Sequence, residues 1–260
     1  MKDLVIYHSD ADGWVAALQA YLILGDEAHY RPMQYGDPYP NDLMDYKRVY
    51  VVDFSLFPVT DNMVIMDHHK TAAEKLANYS GPADIIYDVN HAGCYLAHKY
   101  FNTPAGWLID YVEDHDLWKF ILPDSKAVRA GLLVESLENF DHWLRLKFGD
   151  VLATGRIILR YTDKMVAELS RKMLPCTLAG YTGLLINNGQ WISELGNYVI
   201  MKNLELAFIA SWFVVEGNKV VVSLRGPKSR EIAQHYGGGG HDTAAGFQIS
   251  LSDWVKEMVE

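Results

Sequence analysis

Apolar residues in the first half of the chain fall into short runs separated by helix-like stretches. Residues 4–7 (LVIY) form one such run, and a helical spacing follows over residues 14–24. RVYVVDF (48–54) and MVIMDHH (63–69) are two more, each stopping at an acidic residue, and IIYDV (85–89) is a weaker one. Two helical stretches, GCYLAHKYF (93–101) and WLIDYVEDH (107–115), come next. Apolar strands alternating with helices predict an α/β fold whose mainly parallel sheet is covered on both faces. In such a sheet, ligands collect at the carboxyl ends of the strands.

Over residues 150–173 the spacing changes to one long helix, with Val151, Leu152, Ile158, Leu159, Met165, Val166 and Leu169 as its apolar stripe and Pro175 as its stop. Beyond it come TGLLINN (182–188), a helical stretch near 194–204, and the segment 205–226, which reads as a β-hairpin turning at Gly217 and Asn218. A helix over 229–235, four glycines from Gly237 to Gly240 and a strand near Phe247 complete a smaller α/β unit with a mixed sheet. The expected division is a catalytic domain over 1–149, a connecting helix over 150–175 and a substrate-binding domain over 176–260. The two domains are expected to face each other across a cleft, which favours short substrates.

Composition narrows the function. With 260 residues, half of them apolar, the chain can bury one large core or two smaller ones. The formal charge of −10 argues against a protein that lives on duplex phosphates, which carries a basic face instead. No run approaches the roughly 20 apolar residues of a membrane span, and MKDLVIYHSDADG reaches charge too early for a signal peptide. Cys94 and Cys176 are the only cysteines, without the paired spacing of a zinc-thiolate site or a disulfide framework. A cytoplasmic protein with no membrane partner is expected.

The candidate chemistry sits where the apolar runs stop. His8, Asp10 and Asp12 follow the first, Asp53 the second, and Asp67, His68 and His69 the third. Each group has a plain explanation alone: HSDADG can cap a helix, and an aspartate after a strand often just begins a loop. Three such groups at three strand ends of one sheet point to a metal site. Carboxylate oxygens mixed with imidazoles suit manganese, magnesium or iron better than structural zinc.

These residues resemble the DHH phosphoesterase superfamily, which holds RecJ-type exonucleases, nanoRNA-degrading oligoribonucleases and cyclic-dinucleotide phosphodiesterases. HSDADG is similar to its first motif, VVDFS to its second, and MDHHKTA carries the name-giving Asp-His-His. YGGGGHDTAAGF, with VSLRG upstream, resembles the signature of the associated C-terminal domain. The resemblance implies two divalent ions, manganese first, with magnesium or another divalent ion as alternatives. It implies that His8, Asp10 and Asp53 hold one ion, and that Asp12, Asp53, His68 and a fourth-motif aspartate hold the other. His69 would face the substrate phosphate, and Asp67 would orient the histidines. His8 stands closer to Asp10 than is common in the family. For the fourth motif, IDYVEDHDLWKF offers Asp110, Asp114, His115 and Asp116; Asp114 is favoured, a few residues before Trp118, with Asp116 second.

In the C-terminal signature, Gly238, Gly239 and Gly240 would let the backbone approach a ligand and offer N–H groups to phosphate. His241 would hydrogen-bond phosphate or base, and Arg225 would grip phosphate with its planar fork. Lys228 and Arg230 lie nearby but read equally well as a solvated helix start. The expected activity is hydrolysis of short single-stranded RNA or linear dinucleotides to mononucleotides. A cyclic mono- or dinucleotide phosphodiesterase is the alternative, and a catalytically silent nucleotide sensor comes third. A homodimer is compatible with the sequence but not indicated by it.

Overall fold

The computed structural model describes residues 1–259, which divide by their contacts into two units, Met1–Leu159 and the residues from Arg160 onward. The first unit runs β1 (Asp3–His8), α1 (Ala11–Leu24), β2 (Ala28–Met33), β3 (Val49–Val52), β4 (Met63–Asp67), α2 (Ala73–Ala77), β5 (Asp84–Tyr87), α3 (Gly93–Phe101), α4 (Trp107–Asp116), α5 (Ser125–Leu132) and α6 (Phe140–Leu144). Helix α7 (Phe148–Ser170) begins here and crosses the division. The five strands are ordered β2-β1-β3-β4-β5, every neighbouring pair parallel.

Both faces of this sheet are covered, which explains the unbroken apolar runs. Val5, Tyr7, Val52, Val64 and Met66 pack with Trp14, Leu96, Ile109 and Val112 of α1, α3 and α4. Leu4, Ile6, Val49, Val51, Met63 and Ile65 point the other way, into Leu43, Phe54, Leu56 and Leu76. Every residue of β3 and β4 is buried. Period-two alternation therefore sorts two apolar layers rather than inside from outside.

The second unit holds β6 (Leu174–Leu178), β7 (Tyr181–Asn187), α8 (Ile192–Lys202), β8 (Phe208–Val215), β9 (Lys219–Arg225), α9 (Ser229–His235), β10 (Gly239–His241), β11 (Ala244–Ser250) and α10 (Leu251–Val259). Its sheet order is β10-β11-β9-β8-β7-β6, antiparallel except for β7 beside β8. Phe208, Val220, Val222, Leu224 and Phe247 pack under Ile232 and Trp254, while Ile186 and Ile209 meet Leu195 and Val199 on the other face. The β8–β9 hairpin turns through Gly217 (φ 77) and Asn218 (φ 57), the left-handed pair that matches strand twist. Pro175 is not the stop of the long helix: α7 ends at Ser170, and Pro175 lies in β6 opposite Leu184.

Candidate metal centre

The carboxyl edge of the parallel sheet gathers the acidic and imidazole side chains. β1 ends at His8, and Asp10 caps α1 by accepting a hydrogen bond from the Gly13 amide at 3.0 Å. Asp12, in the first turn of α1, is 2 % exposed. Asp53 follows β3 at φ 53, a left-handed conformation that costs a non-glycine residue free energy and recurs at functional sites. Its amide still donates to the Met66 carbonyl at 2.8 Å, so the turn is anchored to β4.

Three groups of donors result, each with its ligand atoms within 4.8 Å of one another: His8–Asp10–Asp53, Asp53–His68–His69 and Asp12–His68–Asp116. Asp53 is common to the first two, and His68 to the last two. His8 Nδ1 lies 2.8 Å from Asp10 Oδ2 and 3.7 Å from Asp53 Oδ2. His68 Nε2 is 3.1 Å from Asp53 Oδ1, 3.4 Å from Asp116 Oδ2 and 3.6 Å from Asp12 Oδ2.

The donors fit a cation on two independent grounds. His8 Nδ1 and Asp53 Oδ2 are buried without a well-aligned hydrogen bond, even though Nδ1 stands 2.8 Å from Asp10 Oδ2, a costly arrangement unless something else satisfies them. Gln34 shows which His8 nitrogen is available. Its amide nitrogen donates to the Ser9 carbonyl at 3.1 Å, so its oxygen faces His8 Nε2 at 3.0 Å. In the neutral ring the proton then sits on Nε2 and the Nδ1 lone pair faces Asp10 and Asp53, the orientation a metal-binding imidazole takes. The second ground is charge. Burial pushes Asp53 up to about 8 and Asp116 up to about 7, and burial with the Asp53 charge pushes Asp12 the same way. Asp10 and Asp53 in turn hold His8 up at about 10, so without a cation the ring keeps a second proton, and the neutral form is the one an ion would select. Carboxylates crowded this closely away from water need counter-charge.

Asp67 is saturated and is not itself one of these donors. Its Oδ1 accepts from the amides of His68 (2.7 Å) and His69 (3.0 Å) and from His69 Nδ1 (2.8 Å), and its Oδ2 accepts from Ser55 Oγ. That leaves Nε2 as the nitrogen of His69 not engaged by Asp67. Burial lowers the His69 pKa, but the Asp67 hydrogen bond and charge outweigh it, so the net shift is upward.

Of the two fourth-motif aspartates, Asp116 rather than the favoured Asp114 lies among the donors. Asp114 is buried and joins none of the three groups. Its carboxylate accepts from the Ile121 amide at 2.9 Å and the Leu122 amide at 3.5 Å, and its carbonyl accepts from Lys119 and Phe120. Asp114 therefore folds the chain after α4, and Asp116, the last residue of α4, reaches His68. A carboxylate at a helix C-terminus faces the negative end of the dipole, which adds to its demand for a cation.

Sequence reasoning also passed over Gly93. The first amides of α3 hold Asp12, Gly93 N donating to Oδ2 at 2.6 Å and Cys94 N to Oδ1 at 2.9 Å. A Cβ on Gly93 would lie 2.3 Å from Asp53 Cβ, so only glycine lets α3 come this close. The available signal was the small-residue start HAGC just after a strand run, the pattern of a helix N-terminus built to receive an anion.

In the second unit, the singled-out residues share one sheet face. His241 pairs with Ala244, and Ala244 with Arg225, so the two lie on one side with a small residue between them. Arg225 is half-buried along Gly196, donating to the Leu224 carbonyl at 2.9 Å and to Ser193 Oγ at 3.0 Å. Part of the glycine run is structural: a Cβ on Gly238 would strike the Gly246 carbonyl at 2.2 Å, and Gly240 sits at φ 138. Gly239 faces open space, and His241 is exposed. Lys228 pairs with Glu231 at 2.7 Å and Arg230 with Asp242 at 3.2 Å.

Comparison with known proteins fits this description. Residues 189–260 match the family described as the DHHA1 domain. Uncharacterized protein R106 of Acanthamoeba polyphaga mimivirus is 22 % identical over 297 residues, covering 95 % of this chain and 68 % of that protein. The pGpG-specific phosphodiesterase PggH of Vibrio cholerae superposes with a TM-score of 0.60 at 16 % identity, covering 98 % of this chain and 96 % of that one. RecJ of Thermus thermophilus, solved in complex with Mn2+, gives 0.55 at 15 % identity, covering 99 % of this chain and 51 % of RecJ. At these identities the likeness to the solved structures is one of fold. The class is thus an α/β protein with an acid–histidine cluster at the carboxyl edge of a parallel sheet and a DHHA1 domain later in the chain. Residues 189–260 are similar to the DHHA1 domain, and the chain as a whole shares the fold of these phosphodiesterase and RecJ structures.

Proposed function

We propose that this chain is a divalent-metal-dependent phosphodiesterase that hydrolyses short single-stranded RNA or linear dinucleotides to mononucleotides. The observation that carries the reading is the set of buried donors at the sheet edge, His8 Nδ1 and Asp53 Oδ2, left without a well-aligned hydrogen bond amid crowded carboxylates. The named relatives support it: one solved neighbour is a pGpG-specific phosphodiesterase and another is a RecJ bound to Mn2+.

In this proposal His8, Asp10 and Asp53 hold one ion, and Asp12, His68 and Asp116 hold a second, with Asp53 shared. Manganese is the ion expected first. Bound there, divalent ions would lower the pKa of a water and offset charge that builds on phosphorus. The chain's own groups do the rest. Asp67 fixes the His69 ring so that Nε2 is left for a phosphate oxygen. The α3 N-terminus holds both oxygens of Asp12 so that it cannot swing away. Within the second unit, Arg225 and His241 are the proposed phosphate- and nucleotide-binding residues. A reducing cytoplasm is the proposed compartment.

The test is hydrolysis by manganese-loaded protein of linear diadenylate, a short RNA, cyclic diadenylate and cyclic AMP, each with a chelator control. Chelator-sensitive release of mononucleotides from the linear compounds is expected. Preference for the cyclic compounds would replace the substrate assignment, and inactivity on all four would overturn the enzymatic reading.

A further inference from the structure

Just beyond Asp116 the backbone does something costly. Trp118 and Phe120 both adopt left-handed φ values, 55 and 50, which bulky residues rarely take. The turn is held by hydrogen bonds: Trp118 N to the His115 carbonyl at 2.9 Å, Lys119 N to the Asp114 carbonyl at 2.9 Å, and Ile121 N to Asp114 Oδ1 at 2.9 Å. Strain of this kind persists only where the surroundings enforce it, and it clusters at functional sites. What the turn displays is a tryptophan that is 52 % exposed.

The ring is prepared from behind. The Arg129 guanidinium lies over it at 5.5 Å, and Phe120 meets it edge-on at 4.9 Å. Lys126 lies over Phe120 at 5.7 Å, adding positive charge. His115 and Arg129 also line a small recess, about 30 Å³, whose wall includes Ala11, the residue between Asp10 and Asp12. Trp118 stands two positions after Asp116, whose carboxylate is 3.4 Å from His68; an extended chain spans at most about 7 Å over that interval. A backbone position this close to the acid–histidine cluster lies within the reach of one nucleotide.

We propose that Trp118, backed by Arg129 and Phe120, is the stacking platform for a nucleobase of the substrate whose phosphate lies at the acid–histidine cluster. Every base offers a π-face, so such a platform selects for nucleotides over other phosphate esters without selecting sequence. This deepens the phosphodiesterase reading and rests on it for the position of the phosphate.

The test is isothermal titration of AMP and of ribose 5-phosphate into the full-length, manganese-loaded chain, which needs no turnover. AMP is expected to bind at least about tenfold more tightly, the range of one base–aromatic stack. Trp118→Ala should bring the two ligands close together, while Trp118→Phe should keep most of the preference. With linear diadenylate the loss in Trp118→Ala should fall on KM more than on kcat. Equal binding of the two ligands by the unaltered chain, or no binding of either, overturns the proposal. So does a Trp118→Ala chain of native circular dichroism that keeps the preference, including one that changes only its oligomeric state. An AMP preference without diester hydrolysis would instead keep the platform and remove the phosphodiesterase.

Discussion

Asp114 and Asp116 are both acidic residues of α4, but their surroundings assign them different work. Asp114 accepts amides of the following turn, whereas Asp116 shares a face with Asp12 and His68. Asp116→Ala is therefore expected to weaken manganese binding at least about tenfold, the scale on which altering a metal site acts, with little change in thermal stability. Asp114→Ala strands buried amides and should cost roughly 1–3 kcal/mol of stability while leaving the ligands in place. Titration calorimetry paired with thermal denaturation of both variants distinguishes the two. Helical periodicity could bring IDYVEDHDLWKF to the sheet edge, but it cannot say which face turns inward, because that depends on where α4 packs. The strand-end residues were more legible: His8, Asp53 and His68 end apolar runs, and a parallel sheet collects such ends whatever the loops between them do.

At the scale of elements, burial decided what could be read. β3 and β4 are buried throughout and stand out as apolar runs, whereas β2, AHYRPM, gives no such signal. It is an edge strand, with His29 and Pro32 exposed, and an edge tolerates both polar residues and a proline. The short helices α5 and α6 also escape periodicity, being too brief to repeat a face. One helix crossing is set by glycine: a Cβ on Gly155 of α7 would lie 1.7 Å from the Ala127 carbonyl of α5. Replacing a mid-helix glycine with alanine normally gains about 1 kcal/mol from backbone entropy. Here the obstacle is backbone that cannot turn aside, so Gly155→Ala should lose roughly 1–3 kcal/mol net, the scale of overpacking. A lower urea midpoint at unchanged slope is the expected record; a higher midpoint would show that the helices can part freely.

For the molecule as a whole, the crowded carboxylates set a pH dependence. An acid whose pKa is raised by folding stabilises the fold fully below its unfolded value, and that contribution is lost as pH climbs through the folded value. Asp116, raised from 3.8 to about 7, and Asp53, raised from 3.8 to about 8, spread the loss from acid pH up to those folded values, and His8, raised from 6.5 to about 10, carries it on above neutrality. His115, held down at about 4 by burial and by Arg129, acts in the opposite sense, but only below its ordinary value of 6.5. The metal-free chain should accordingly melt at lower temperature as pH rises from about 6.5 to about 8.5, and manganese should restore more stability at the upper end. A flat melting profile across that range would contradict the crowding. The same protons leave a thermal signature. A cation entering the cluster must expel hydrogen ions from Asp53 and Asp116, and the surrounding buffer must take them up. The heat of manganese loading should therefore differ between phosphate-free buffers of low and high ionisation enthalpy, with the slope counting the protons that the empty cluster had kept.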